Sequence, residues 1–261
     1  MANVQVIQSH REPLPASWYR ICIDSVRDWS ALHGYDYRWF DDELFQLLPR
    51  ELQRKTTDRQ VVAADLARLR ALRQSLEQGY ERVVWIDADT LVIAPDRLLL
   101  RDVDHGFGRE IWVQEGGRDT SSGNQSAGRL RVYDKIHNAF MMFSRGNRLL
   151  DFYSYAAERL VRRHRGDMVP QLVGPKFLAT LHNLLDLHVI EEAGVMCPLV
   201  AGELLGIKAD QGALARYLER SNVAPAALNL CGSMVRSEQL SDHDMERLIS
   251  LLQQRPDLLA L

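Results

Sequence analysis

Lysine, cysteine and long apolar runs are all scarce in this sequence. Only 4 of its 32 basic residues are lysine, a bias that reflects either codon preference or a need for forked guanidinium groups at phosphates and carboxylates. Its three cysteines, Cys22, Cys197 and Cys231, form no CxxC pair and are too few for a disulfide framework. No run approaches the ~18 apolar residues of a membrane span, and the first residues lack the features of a secretory signal. These absences predict a cytoplasmic protein with reduced thiols.

An excess of charge of either sign is also missing. The sequence has 35 acidic and 32 basic residues, a net charge of −3, which disfavours nucleic acid as a partner because nucleic-acid-binding domains are normally basic. No HxxxH or HExxH spacing, Walker loop, GxGxxG or GxSxG motif occurs. With 46% apolar and 26% charged residues, the 261 residues have the composition of a globular protein, and we expect one domain over 1–261.

Hydrophobic periodicity predicts an alternation of strands and helices. Predicted strands cover residues 4–8, 35–40, 83–86, 111–114, 140–143, 188–191 and 226–231. Predicted helices cover residues 17–33, 59–78, 148–163, 174–181, 210–220 and 242–253, with a helical turn at 95–100. The alternation predicts an α/β fold. Residues 115–128 are rich in glycine and almost free of apolar side chains, so they are a candidate lid over a ligand site.

Two aspartates, Asp87 and Asp89, directly follow the apolar strand 83–86. Ligands of open α/β sheets bind beyond the carboxyl ends of strands. Carboxylates one residue apart repel each other unless a cation lies beside them, and Mg²⁺ or Mn²⁺ commonly binds carboxylates together with substrate phosphates. The pattern predicts a metal-bound phosphate or diphosphate substrate; its alternative explanation is a simple turn capped by aspartate.

A second pair of charges, Asp65 and Arg68, interrupts the apolar stripe of the helix 59–78. The two residues are three positions apart and therefore share a helical face. Charged groups on a buried stripe need a partner or a function, so we expect these two to take part in ligand binding or, alternatively, to form a plain ion pair.

Three segments together resemble a known group of enzymes. Residues 86–92, IDADTLV, resemble the DxD segment of GT-A glycosyltransferases, especially the retaining enzymes of family 8. The helix with Ala64-Asp65-Leu66-Ala67-Arg68 resembles the D-x-x-R helix of family 32 and of the glucosylating clostridial toxins. Residues 6–42 are also similar to the opening of family 32, and the resemblance extends over roughly residues 4–180.

This resemblance implies a GT-A fold, with a Rossmann-like, mostly parallel central sheet flanked by helices. It implies transfer of a sugar, with retention, from a nucleotide-diphosphate donor such as a UDP-sugar to a glycan or lipid-linked acceptor. Residues 1–130 would form the nucleotide-sugar and metal-binding half, and 131–261 the acceptor side. The implied site residues are Asp87, Asp89 and Asn229 for Mn²⁺ or Mg²⁺, Asp65, Arg68 and Asn138 for the donor sugar, and Gly232 and Ser233 for the diphosphate.

Two other functions remain open at this point. A metal-dependent phosphatase or nucleotidyltransferase could use the same aspartates. Haloacid-dehalogenase-like phosphatases place a threonine two residues after the second aspartate, whereas here Thr90 follows Asp89 directly and Leu91 holds the expected position. The other alternative is a non-catalytic module that binds a nucleotide sugar.

Four arginines, Arg159, Arg162, Arg163 and Arg165, cluster at the end of the helix 148–163. Cations at a helix C-terminus are favourable in themselves. The sharper hypothesis is a peripheral contact with the inner face of the membrane, where anionic lipids attract basic segments.

Overall fold

A computed structural model describes residues 3–116, 130–208 and 211–260. Its strands are β1 Val4–Ser9, β2 Asp36–Phe40, β3 Arg82–Ile86, β4 Thr90–Val92, β5 His105–Glu115, β6 Leu130–Ser144, β7 Val189–Ile190, β8 Ala193–Val195 and β9 Ala227–Asn229. Its helices are α1 Trp18–Leu32, α2 Arg50–Lys55, α3 Gln60–Glu77, α4 Arg148–Arg163, α5 Pro175–Leu185, α6 Pro198–Leu204, α7 Ala213–Leu218, α8 Ser233–Arg236 and α9 Asp242–Gln254, with a 3₁₀ helix at Asp42–Leu47.

The long helices lie where periodicity predicts them. Helices α1, α3, α4 and α9 begin and end within two residues of the predicted bounds. Strands β5 and β6 are much longer than predicted: residues 105–110 of β5 include two glycines, residues 130–139 of β6 are mostly polar, and neither segment has a clear apolar period. The predicted helical turn at 95–100 is a non-helical turn at 95–97. Most of the predicted lid, residues 117–128, lies outside the described residues.

The central sheet has six strands in the order β2-β1-β3-β6-β5-β7. Three of its five pairings are parallel and two, on either side of β6, are antiparallel. The α/β class with a mostly parallel central sheet flanked by helices is therefore confirmed. Strand β6 belongs to the predicted acceptor-side half and lies at the centre of the sheet, so both predicted halves build one sheet; the functional division at residue 130 stays a prediction.

The side chains of β3 alternate between two apolar cores. Val83 and Trp85 pack on the face covered by α3, α4 and α5, whereas Val84 and Ile86 pack with Trp29 of α1 on the other face. A strand covered on both faces has no solvent side, which explains its continuous apolar run. In the described part of the chain, no helix combines the length and apolar character needed to cross a bilayer.

A smaller sheet, in the order β4-β9-β8, joins the C-terminal part of the chain to the end of β3. Strands β4 and β9 are antiparallel, with Thr90 opposite Asn229. Because β4 begins one residue after Asp89, this pairing brings the segment 229–233 next to the two aspartates. The smaller sheet thus decides which distant residues share the carboxyl edge of β3.

Candidate active site

Asp87 and Asp89 lie in a tight turn at the carboxyl end of β3. The Asp87 N–H donates to the carbonyl oxygen of Ala139 on β6 (2.8 Å), and the Asp87 carbonyl oxygen accepts from the Thr90 N–H (3.0 Å). The Gln8 side chain at the end of β1 donates to the same carbonyl oxygen (3.2 Å). Three strands therefore hold this turn, so its carboxylates project from a rigid support at the sheet edge.

Arg68 connects the α3 pair to the aspartate turn. Its guanidinium donates to Asp87 Oδ1 (2.9 Å) and to the carbonyl oxygen of Asn138 (2.9 Å), and it lies 3.3 Å from Asp65 Oδ1. The Asn138 side-chain amide donates to the same Asp65 oxygen (2.7 Å). The structure thus brings four of the predicted site residues into one hydrogen-bonded cluster, and the plain i,i+3 ion pair is only one part of it.

Asp65 is buried within this cluster. Burial raises its pKa to about 6, although the positive charge of Arg68 and the hydrogen bond from Asn138 act in the opposite direction. Its Oδ2 is enclosed and has no hydrogen-bond partner among the described residues. A Cβ at Gly174, just ahead of α5, would lie 2.5 Å from this oxygen, so position 174 has no room for a side chain. An unpaired buried carboxylate oxygen is costly, and this fits a group whose hydrogen bonding a ligand completes.

Asp89 is held from the opposite side by the segment that follows β9. Its Oδ1 accepts from the Asn229 side-chain amide (2.6 Å), and its Oδ2 accepts from the Gly232 N–H (2.8 Å). Burial and the nearby negative charge of Asp87 raise the pKa of Asp89, and the two hydrogen bonds oppose that shift. In the described part of the chain no basic side chain forms an ion pair with Asp89, so its charge is solvated by neutral donors alone.

The orientation of Asn229 favours a supporting role over the predicted ligand role. Its amide oxygen accepts from the Cys231 N–H (3.0 Å), which turns the amide nitrogen toward Asp89. The reverse orientation would set two donors against each other at Cys231. Asn229 therefore presents a donor where a metal ligand must present an oxygen. Of the two predicted diphosphate residues, Gly232 reaches the site through its N–H, while Ser233 is exposed at the start of α8.

Sequence reasoning missed two aromatic residues at this site. Trp85 donates through its indole N–H to Asp87 Oδ1 (2.6 Å), and the Arg68 guanidinium lies 5.1 Å from the centre of its ring. The two-residue repeat of a strand puts Trp85 and Asp87 on the same side, and that signal could have found it. Tyr19 of α1 lies against Gly232 so closely that a Cβ there would collide with its hydroxyl. Nothing local in the sequence connects these two positions.

His137, the residue before Asn138, is a further support that the sequence did not reveal. Its Nδ1 accepts from the Ala139 N–H (3.1 Å), and its Nε2 lies 3.3 Å from the Ala193 carbonyl oxygen. Burial lowers its pKa to about 4, so the ring is neutral at pH 7, with the proton on Nε2. His137 thereby stabilises the stretch of β6 that contains Asn138 and Ala139, whose carbonyl oxygen accepts the hydrogen bond from the Asp87 N–H.

The donor set at the turn suits a hard divalent cation. Among the described residues no group of three His, Cys, Asp or Glu side chains is arranged to hold a metal. Two carboxylates, Asp87 and Asp89, are what the protein would contribute. Mg²⁺ and similar ions often bind one or two carboxylates and take their other ligands from substrate phosphates and water. A cation would also compensate the negative charge that raises the pKa of Asp89.

Two solved structures resemble this chain. One is a glycosyltransferase involved in the glycosylation of the major capsid of PBCV-1, with a TM-score of 0.48 and 14% identity over 93% of this chain and 98% of that chain. The other is the galactosyltransferase LgtC, in complex with donor and acceptor sugar analogs, with a TM-score of 0.42 and 12% identity over 95% of both chains. No family model and no curated protein matches the sequence. Similarities of this size carry no argument about activity.

Proposed function

We propose that this protein is a metal-dependent glycosyltransferase of the GT-A type. It would transfer a sugar from a nucleotide-diphosphate donor, with a UDP-sugar as the first candidate, to a hydroxyl of a glycan or glycolipid. Retention of configuration is part of the proposal because the resembled families mostly retain it.

The observation that carries this proposal is the cluster of Asp65, Arg68, Asp87 and Asn138 at the carboxyl end of β3. The first two residues come from the D-x-x-R helix and the third from the DxD turn, and the resemblance assigns both segments to one donor site. Plain structural roles would not require the two segments to meet. Their direct contact, with a buried unpaired oxygen on Asp65, supports a site that recognises a hydroxyl-rich ligand.

The contacts suggest a division of tasks. Asp87 and Asp89 would hold Mn²⁺ or Mg²⁺, which when bound supplies positive charge to the departing nucleoside diphosphate. Asp65, Arg68 and Asn138 would orient hydroxyl groups of the donor sugar. Trp85 and Arg68 fix the rotamer of Asp87, while Asn229 and the Gly232 N–H fix that of Asp89. Such preorganised supports reduce the motion needed when donor binds.

The proposal is tested by incubating the full chain with Mn²⁺ and a panel of nucleotide sugars. Slow hydrolysis of one donor, together with a metal-dependent rise in melting temperature, is the expected result. Asp89→Asn should abolish both effects, because it removes a carboxylate while keeping the side-chain shape. Asp102→Asn is the matched control, since the Asp102 side chain is fully exposed and, among the residues that the structure describes, pairs only with Arg82.

The outcomes separate the alternative functions. Hydrolysis of simple phosphate esters with no effect of nucleotide sugars would favour the phosphatase reading. Metal-dependent binding of a nucleotide sugar without any turnover, even with glycan acceptors added, would favour a binding module. If no donor binds and Asp89→Asn melts with the same metal response as the unmodified protein, the proposal is wrong.

A further inference from the structure

One face of helix α4 combines aromatic side chains with arginines, and we propose that it binds the surface of an anionic lipid bilayer. We call it the α4 outer face; its residues are Arg148, Phe152, Tyr155, Arg159 and Arg163. Their spacing of four, three, four and four residues puts all five within an arc of roughly 80° along about 22 Å of helix. This inference goes beyond the proposed transferase activity and does not depend on it.

The aromatic residues of this face are not part of a core. Phe152 is 50% exposed and Tyr155 is 62% exposed, while the opposite side of α4 buries Leu150, Tyr153 and Val161 against α3 and α5. Helix α4 therefore has two apolar sides, and only one of them is packed within the protein. Amphipathic helices that lie in a bilayer interface present aromatic and aliphatic residues together with arginine in this manner.

The charge on the α4 outer face has one sign. Arg148 and Arg163 form no ion pair within the described ranges, and Arg159 lies against the Tyr155 ring, 5.9 Å from its centre. The two acidic residues of α4 point elsewhere, because both pair with arginines of α3. Asp151 lies 3.4 Å from Arg73, and Glu158 accepts from Arg70 at 2.8 Å. Three positive charges thus face solvent without an acidic residue of the helix between them.

The structure revises the arginine cluster expected from sequence. Arg162 donates to Glu158 (2.9 Å) and contacts Glu51 of α2 (3.2 Å), so its charge is already compensated. Arg165 is exposed two residues beyond the helix end. Arg148, one helix length away, joins Arg159 and Arg163 instead.

An anionic bilayer fits this face better than the other large partners. A second copy paired through the same face in a two-fold dimer would set arginines against arginines. Nucleic acid would bind the arginines through its phosphates, but it offers no hydrocarbon layer for the Phe152 side chain. Headgroups of anionic lipids attract arginine, and the adjoining interface accepts phenylalanine and tyrosine side chains.

The basic end of α4 lies at the same end of α3 as the candidate active site. The two helices run antiparallel, because Glu158 contacts Arg70 and Asp151 contacts Arg73. Just past α4, the Met168 carbonyl oxygen accepts from Arg59, the residue ahead of α3. The C-terminal end of α4 and Asp65 are therefore both at the N-terminal half of α3.

The experiment measures sedimentation of the full chain with vesicles. Phosphatidylcholine vesicles with 30 mol% phosphatidylglycerol are compared with pure phosphatidylcholine, each at low and high salt. An arginine near an anionic surface contributes about five-fold to partitioning, so three contribute about 100-fold. We expect a loss of that size when Arg148, Arg159 and Arg163 are changed to Gln, and an independent loss for Phe152→Ser with Tyr155→Ser.

The matched control removes the same charge from three exposed arginines elsewhere on the surface, with Gln at Arg216 of α7, at Arg220 in the turn after α7 and at Arg247 of α9. All substituted residues are exposed, so the melting temperatures of the variants should stay within a few degrees of that of the unmodified protein. Donor hydrolysis measured without vesicles tests the proposed function separately.

Each other outcome would overturn the proposal. Absence of binding to anionic vesicles, or an equal loss in the control variant, would contradict a specific membrane face. Binding to soluble polyaspartate as tight as to vesicles, unaffected by the aromatic changes, would assign the face to an acidic protein. A dimer in sedimentation velocity that the α4 substitutions dissociate would assign it to a second copy.

Discussion

Arg68 is the counter-charge of the candidate site, and its removal is the most informative perturbation. The guanidinium is buried and contacts two carboxylates, Asp65 and Asp87, together with the Asn138 carbonyl group. Arg68→Met keeps the length of the side chain and removes the charge. It leaves Asp65 buried with only the Asn138 amide as a donor.

The expected loss of stability is about 3–5 kcal/mol, the usual cost of leaving a buried charge without its partner. For a chain of this size each kcal/mol shifts the melting temperature by ~2–4 °C, so the variant should melt roughly 6–20 °C lower near pH 8. The matched control is Arg73→Met on the same helix. Its ion pairs with Glu77 and Asp151 are well exposed, so the loss there should stay below about 1 kcal/mol.

The loss should shrink in acid. The pKa of Asp65 is raised from 3.8 to about 6, so the folded protein takes up this proton before the unfolded chain does. Asp65 therefore adds stability as the pH falls through 6, an effect that is complete below 3.8. Without Arg68 the pKa of Asp65 rises further, and the variant gains this stability at a higher pH than the unmodified protein.

Urea unfolding of both proteins at pH 8 and pH 5.5 measures the effect, because groups that titrate equally in both cancel in the difference. A variant that is less than 1 kcal/mol less stable at pH 8 would refute the role of Arg68 as counter-charge. A loss that is the same at both pH values would show that Asp65 does not carry the uncompensated charge.

Three further predictions concern the residues around this cluster. Gly174→Ala puts a Cβ about 0.9 Å inside the ordinary contact distance (3.4 − 2.5) of the buried α3 carboxylate, so we expect a loss of about 1–3 kcal/mol in urea unfolding. Gly202→Ala, which meets only a flexible lysine side chain, should be neutral or slightly stabilising. Asn229→Asp replaces the amide 2.6 Å from Asp89 by a carboxylate, so the melting temperature without metal should fall. The rise in melting temperature on adding Mn²⁺ should become larger than in the unmodified protein. An unchanged rise would contradict a metal at this turn. The pKa of His137 is 6.5 in the unfolded chain and about 4 in the folded protein, so the unfolded chain takes up this proton first as the pH falls. The free energy of unfolding should therefore decrease by up to ~1.4 kcal/mol for each pH unit between 6.5 and 4. His137→Gln should remove that slope when unfolding is measured across this pH range.

Local sequence patterns were sufficient for the elements that cover the sheet. The helix predicted over 59–78 is α3, and the apolar run 83–86 is the interior of β3. Both depend on contacts that repeat along one segment, and such contacts leave a period in the sequence. Residues 105–110 of β5 were missed because glycines interrupt the segment, and residues 130–139 of β6 because polar side chains are frequent there, so neither segment has a clear apolar period. Strands β4 and β8, with three residues each, are too short to carry one.

The residues of the candidate site also differ in whether a local sequence pattern could indicate them. Asp87 and Asp89 were identified because the DxD turn is local, and Asp65 and Arg68 because charge on an apolar stripe is conspicuous within one helix. The contribution of Trp85 follows from the same two-residue repeat, once the strand is known. The predicted role of Asn229 as a metal ligand depends on which end of its amide faces Asp89, and no local pattern in the sequence gives that orientation. That orientation is decided by a backbone N–H two residues later.

The sequence by itself determined an α/β chain with a strand buried on both faces, an acidic turn at its end and a charged pair on the preceding helix. Only the tertiary structure decided that Asn138 contacts Asp65 across 73 positions and that Asn229 contacts Asp89 across 140. These contacts follow from strand order and register, with β6 beside β3 and β9 beside β4. The free energy that selects this strand order and register comes from contacts throughout both apolar cores, so it cannot be read from any single segment of the sequence.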